Sequence, residues 1–234
     1  MREYLKTILL VLAVLSVGGG LYLGYGFMRD HPFYSSNPDL AELERFERAH
    51  DYPSLINALY KKREGTAFST SVLPWLKERE SKDFAPYLYA TALHLILLDQ
   101  PDDAMLYYFR AGLLARIDLL RCADSTAEQV VMQLESPFKD VQDYLGAHPG
   151  AKVTSGTLAL LKEEESLPVR GKPDWLCLYG EHKLNPYIAY IDDAEWMKRR
   201  QETRDSFKFL ISERPDKYEY PELFHSEKLE GTKR

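Results

Sequence analysis

Between Lys6 and Arg29 the chain runs for 22 residues without a charge, Thr7 followed by ILLVLAVLSVGGGLYLGYGFM. Fifteen of these residues are apolar or aromatic. As a helix rising about 1.5 Å per residue, the segment is about 33 Å long, enough to cross the hydrocarbon core of a bilayer. A chain that opens this way is expected to fold its remaining mass on one side of a membrane. Arg2 and Lys6 precede the segment, and Arg29 is the only Lys or Arg in the fifteen residues after it. That bias predicts a cytoplasmic amino terminus and an exported remainder. Tyr22, Tyr25 and Phe27 lie toward the outer end, where aromatic rings favour the membrane interface. The expected layout is a cytoplasmic n-region at 1–6, an inner-membrane anchor at 7–28 and a tether at 29–36. An α-helical domain at 37–215 and a charged tail at 216–234 follow. The alternative is a cleaved signal peptide with its apolar core at Ile8–Leu15 and a cut after Gly18 or Gly20. No Ala-x-Ala site accompanies it, and the apolar run continues past the glycines. Gly20 and Gly24 have the spacing that lets two membrane helices approach closely, so they are candidates for a homodimer contact.

Both readings export Cys122 and Cys177, the only cysteines. An even count in an oxidising compartment predicts one intramolecular disulfide; two separate buried thiols are the alternative. Charge narrows the partners. Setting aside Arg2, Glu3 and Lys6 from 30 basic and 36 acidic side chains leaves 28 and 35, a net −7. An acidic exported part argues against nonspecific nucleic-acid binding, which needs a basic surface.

Periodicity beyond residue 36 predicts an all-α fold. Asn37 caps a helix whose first turn holds Pro38. Pro53 restarts the chain, with Leu55, Ile56, Leu59 and Tyr60 on one face and Gly65 at its end. Ser71 is a candidate cap for a helix containing Trp75. Two longer helices, about Pro86 to Leu98 and Pro101 to Cys122, flank the break DQPDD. The second carries two apolar faces, one with Leu106, Phe109, Leu113, Ile117 and Leu120, the other with Ala104, Tyr108, Ala111 and Ala115. A helix with two apolar faces packs between two neighbours. Ser125-x-x-Glu128 reads as a capping box, AHPGAK as a loop, and Ser155–Glu165 as a helix with Leu158 and Leu161 inward. Glu163-Glu164-Glu165 near its carboxyl end predicts either an exposed edge or a basic neighbour. Asp192-x-x-Glu195 starts a last helix, with Trp196, Thr203, Phe207 and Leu210 inward and Arg199, Arg200 and Arg204 toward solvent.

Ala104, Tyr108 and Ala111 reproduce an Ala-x3-aromatic-x2-Ala spacing, and Ala92 lies twelve residues earlier. Over residues 86–116 this resembles the helical hairpin of tetratricopeptide repeats, and DAMLYYFRAG is similar in texture to Sel1-type repeats. Leu95 stands where that pattern has an aromatic, and Arg116 where it has a terminal proline. The resemblance implies a stacked helical domain that binds protein. Any tight helical hairpin also selects small residues at its crossing points, and that reading stays open.

Signatures of chemistry are missing from the sequence. There is no Gly-x-Ser-x-Gly elbow, no phosphate-binding Gly-x4-Gly-Lys-Ser/Thr loop and no His-Glu-x-x-His helix. The six histidines are scattered, and His94, amid Leu93, Leu95 and Ile96, reads as a satisfied buried ring. Asp102-Asp103 and Asp192-Asp193 read as helix starts. No metal ligands, cofactor or catalytic residues are expected. Candidate protein-binding residues are Tyr87, Tyr107, Arg110, Arg116, Arg121 and Trp175, because tyrosine, tryptophan and arginine anchor interfaces. Asp118 and Arg121 also read as an ordinary surface pair of one helix. The expected function is a membrane-anchored extracytoplasmic binding module of bacterial periplasmic type. An envelope scaffold or a toxin-neutralising immunity protein would fit. The alternative is a membrane-tethered all-α enzyme acting on cell-wall or lipid material.

Overall fold

The computed structural model describes residues 37–61, 66–138, 144, 147–179 and 189–213. The expected n-region, membrane segment with Gly20 and Gly24, tether and charged tail lie outside these residues. No helix among the described residues is long and apolar enough to cross a membrane. Contacts divide the chain into Met1–Arg45 and Phe46–Arg234. In the first unit the described residues are 37–45, where Asn37 Oδ1 accepts from the Asp39 amide at 3.0 Å. They begin helix α1, Pro38–Arg48.

The second unit is all-helical among the described residues, apart from one antiparallel bridge between Cys122 and Tyr190. After α1 come α2 (Tyr52–Lys61), α3 (Thr66–Glu78), α4 (Ala85–Leu97) and α5 (Pro101–Leu119). Then follow α6 (Glu128–Glu135), α7 (Pro149–Ser166), the single turn α8 (Asp174–Cys177) and α9 (Asp193–Glu213). Asp51 caps α2, accepting from the Ser54 amide, and Pro53 lies in its first turn. α3 starts five residues before Ser71, which lies inside it and bonds the Phe68 carbonyl at 2.9 Å. Pro74 sits within the helix on its exposed side, so its ring displaces no core packing.

The α4–α5 hairpin is the centre of the unit, and α3, α6, α7 and α9 pack on it. Every residue of α4 from Ala85 to Leu95 is buried. The turn between the two helices closes through Asp99 at φ 59°, a left-handed conformation that aspartate tolerates. Ala90, Ala92, Ala104, Ala111 and Ala115 are fully covered, which lets the backbones come close. Tyr89, Tyr108 and Phe138 form an aromatic cluster against the hairpin, with centroids 5.1 to 6.1 Å apart.

Helix α7 corrects the expected facing. It begins at Pro149, so AHPGAK is partly helical. Lys152, Gly156, Ala159 and Glu163 point inward, whereas Leu158 and Leu161 stay 37% and 56% exposed. The reason is across the interface. Arg200 and Arg204 of α9 turn inward to Glu163 instead of toward solvent. Gly156 gives Ile211 of α9 room: a Cβ there would lie 2.6 Å from Ile211 Cγ2. The basic neighbour anticipated for the acidic triplet is therefore α9.

Cys122 and Cys177 are disulfide-bonded, 55 residues apart in sequence. The bond ties the end of α5 to α8. The Ala123 amide donates to the Ala189 carbonyl and the Ile191 amide to the Arg121 carbonyl, joining the approach to α9 to the same point.

Candidate functional site

The α1–α2 corner, the turn after α3 and the loop before α8 enclose a cleft. It consists of two depressions of about 440 and 210 Å³ that share His50, Tyr52, Lys82 and Phe84 as lining. The turn after α3 is a short 3-10 segment, Glu80–Lys82, ended by Asp83 at φ 49°. Phe84 is extended and opens α4. That reversal puts the Phe84 ring among three others: Tyr87 at 4.6 Å, Tyr52 at 5.4 Å and Trp175 at 5.5 Å.

Beneath these rings lie carboxylates, each neutralised by arginine. Asp83 pairs with Arg110, which also meets Glu80 at 2.6 Å. Asp118, at the end of the buried stretch of α5, meets Arg170 at 2.5 Å and accepts from Trp175 Nε1 at 3.2 Å. It does not pair with Arg121, which stacks over Trp196 at 4.3 Å and reaches Asp193 at 2.9 Å. Burial pushes the Asp118 carboxyl above its usual range in spite of Arg170 and Trp175. Arg170 continues to Glu163 at 3.2 Å, and Glu163 accepts from Arg200 at 2.8 Å. Glu47, at the other end, meets Lys82 at 2.5 Å, Tyr87 at 2.8 Å and Arg79 at 3.1 Å. Burial alone would raise the Glu47 carboxyl. The bonds from Lys82 and Tyr87 and the Arg79 charge outweigh it and hold it below the usual carboxylate range.

No family model, curated protein or solved structure matches the chain. The site must be read from its own geometry. Of the six residues singled out as interface anchors, Tyr87, Arg110, Arg116 and Trp175 are buried. Each makes polar contacts inside the fold, Arg116 with Glu135 at 2.5 and 3.0 Å. Tyr107 and Arg121 keep partial exposure; burial and Glu80 push the Tyr107 hydroxyl up to about 12. Tyr87 and Trp175 help line the cleft, and Tyr107 reaches Glu80 at 3.2 Å. Arg116 and Arg121 lie elsewhere on α5 and beyond its end.

The cleft's exposed residues were missed. They are Arg48, His50, Lys82, Gly171, Lys172 and Asp174. His50, Gly171, Lys172 and Asp174 lie in the helix breaks AHDYP and RGKPD, both rich in charge and turn formers, whereas Arg48 ends α1 and Lys82 lies in the turn after α3. A second depression of about 450 Å³ lies between α2 and α6, lined by Ile56, Tyr60, Val130, Leu134 and Tyr179 among others. It is mainly apolar and carries no charged side chain. No group of three or more metal-ligating side chains exists among the described residues. The deep carboxylates of the cleft, Asp83 and Asp118, are bound to the guanidinium groups of Arg110 and Arg170.

Proposed function

We propose that the chain is a membrane-anchored extracytoplasmic binding module, held in the inner membrane by residues 7–28 with its helical domain outside. The observation that carries this reading is the Cys122–Cys177 bond. Disulfides persist in oxidising compartments and are rare in reducing ones. The uncharged stretch before Arg29 supplies the export and the anchor, and the Arg2 and Lys6 bias sets the orientation. Fully covered small residues where α4 meets α5 support repeat-like packing. A cleft floored by paired charges supports binding as the task, with a polypeptide of the envelope or a delivered toxin as its object.

Two measurements test the reading. A reporter active only outside the cytoplasm, fused after Arg234, is expected to be active; a cytosolic signal refutes the topology. Crosslinking in native membranes, followed by identification, is expected to return one specific protein partner. Recovery of the chain alone removes the binding role.

A further inference from the structure

One side of the smaller depression is a single run of chain, residues 170–175, which continues into α8. Its main chain bonds only locally. The Arg170 amide donates to the Leu167 carbonyl, the Leu176 and Cys177 amides to Pro173, and the Leu178 amide to Asp174. Among the described residues no main-chain bond joins residues 170–179 to another element. Side chains hold the run instead. Two of the holds sit at the end of α5. Asp118, in its last turn, accepts from Arg170 at 2.5 Å and from Trp175 Nε1 at 3.2 Å. Cys122, four residues on, is bonded to Cys177. Tyr190 makes a third hold, its hydroxyl donating to Asp174 and its ring facing the Lys172 ammonium at 4.6 Å. Arg170 also reaches the Leu114 carbonyl at 3.1 Å and Glu163 at 3.2 Å. Trp175 packs on Phe84, and Leu176 is fully covered.

We propose that residues 170–177 form a redox-sensitive latch on the cleft: the Cys122–Cys177 bond locks this side shut, and the Asp118 contacts with Arg170 and Trp175 reclose it once the bond is cut. A segment tied to its surroundings without main-chain bonds is the kind of unit that opens locally while the rest stays folded. The reductant is an external dithiol. Cys122 is buried and Cys177 half-buried, so the incoming thiolate meets Cys177. Its sulfur bonds to Cys177 Sγ, and the S–S electron pair passes to Cys122 Sγ, which takes up a proton. The second thiol of the reductant then attacks the mixed disulfide. Two protein thiols remain, and the reductant leaves oxidised as a cyclic disulfide. Opening removes one side of the cleft, so a partner gripping that side is released by reduction. That consequence rests on the binding-module reading; the latch itself does not.

The test follows amide hydrogen exchange in the full chain in neutral detergent micelles, oxidised and with dithiothreitol. A fragment spanning residues 170–179 reports the latch, and one spanning residues 87–95 of α4 reports the core. Reduction is expected to speed exchange about tenfold or more in the first and less than about threefold in the second. Cys122→Ser/Cys177→Ser is expected to match the reduced chain. Asp118→Asn is expected to change the first fragment little while the disulfide is intact, and to speed it about tenfold further after reduction. Trp175→Phe, which removes only the Nε1 bond, replaces Asp118→Asn if that chain does not fold. Equal acceleration of both fragments would make the bond a staple of the whole fold and overturns the latch. So does a 170–179 fragment that ignores reduction, or an Asp118→Asn effect of the same size before and after it. In native membranes, a partner crosslinked to the oxidised chain is expected to be lost on reduction. A partner retained by the reduced chain overturns control of the cleft while leaving the binding-module reading in place. Local opening on reduction without any captured partner supports the latch and refutes the module.

Discussion

His94 is a buried ring in the last turn of α4. Its Nδ1 lies 3.0 Å from Ser69 Oγ and its edge meets Phe68 at 5.4 Å between centroids. Burial lowers its pKa to about 4. An unfolded histidine takes up a proton near pH 6.5. Below that pH the unfolded chain therefore binds more protons than the folded one, and stability falls as pH drops from about 6.5 to about 4. The shift corresponds to roughly 3 kcal/mol. Urea unfolding at neutral pH and near pH 4.5 is expected to differ more in wild type than in His94→Gln; equal differences would remove His94 as the cause. Glu163 is the second decisive residue, fully buried and accepting from Arg170, Arg200 and Arg204. Glu163→Gln keeps the shape but leaves three guanidinium groups short of one negative charge. A loss of roughly 1–3 kcal/mol is expected in chemical denaturation, because charged hydrogen bonds are weakened while Asp118 and Glu164 still accept from the three guanidinium groups.

The α7–α9 contact depends on a glycine. Gly156→Ala gains about 1 kcal/mol of helix propensity. The new methyl would also push against the stiff branched carbon of Ile211. Overpacking of this kind costs about 1–3 kcal/mol. A lower melting temperature is expected for Gly156→Ala, restored in part by Ile211→Val or Ile211→Ala. This contact also shows where sequence reading stops. The α4–α5 hairpin is legible because its apolar residues recur at helical spacing and Pro101 and Asp99 punctuate it. On α7 the same rule fails: Leu158 and Leu161 face out, and a lysine, a glycine and a glutamate face in. Periodicity assumes that apolar residues seek the core, and a buried ionic contact reverses that. Nothing local to Glu163 announces that Arg200 and Arg204, about forty residues on, neutralise it. The cleft was hidden for a related reason. Tyr87, Arg110 and Trp175 carry the residue types of an interface but serve as its floor, and the exposed lip comes from helix breaks with no period to read.

At the scale of the molecule, the Cys122–Cys177 bond was legible from an even cysteine count and the export expected from the uncharged stretch before Arg29. Its place was not, since Cys177 ends a single helical turn within a segment that has no regular pattern. A bond closing a 55-residue interval stabilises by about 4 kcal/mol in the chain-entropy model. Reduction is expected to lower the urea midpoint correspondingly, and Cys122→Ala/Cys177→Ala to reproduce the reduced protein. An unchanged midpoint would mean that the interval is held without it.

The same linkage governs how the molecule bears tension. With an anchor at one end and a load at the other, pull would run from α5 through sulfur directly toward α9, bypassing α6 and α7. That interval hides roughly 190 Å of contour length. In single-molecule stretching this length is expected to appear only with a reductant present. The chain would thus act under strain as a short tether whose reach is set by the redox state around it.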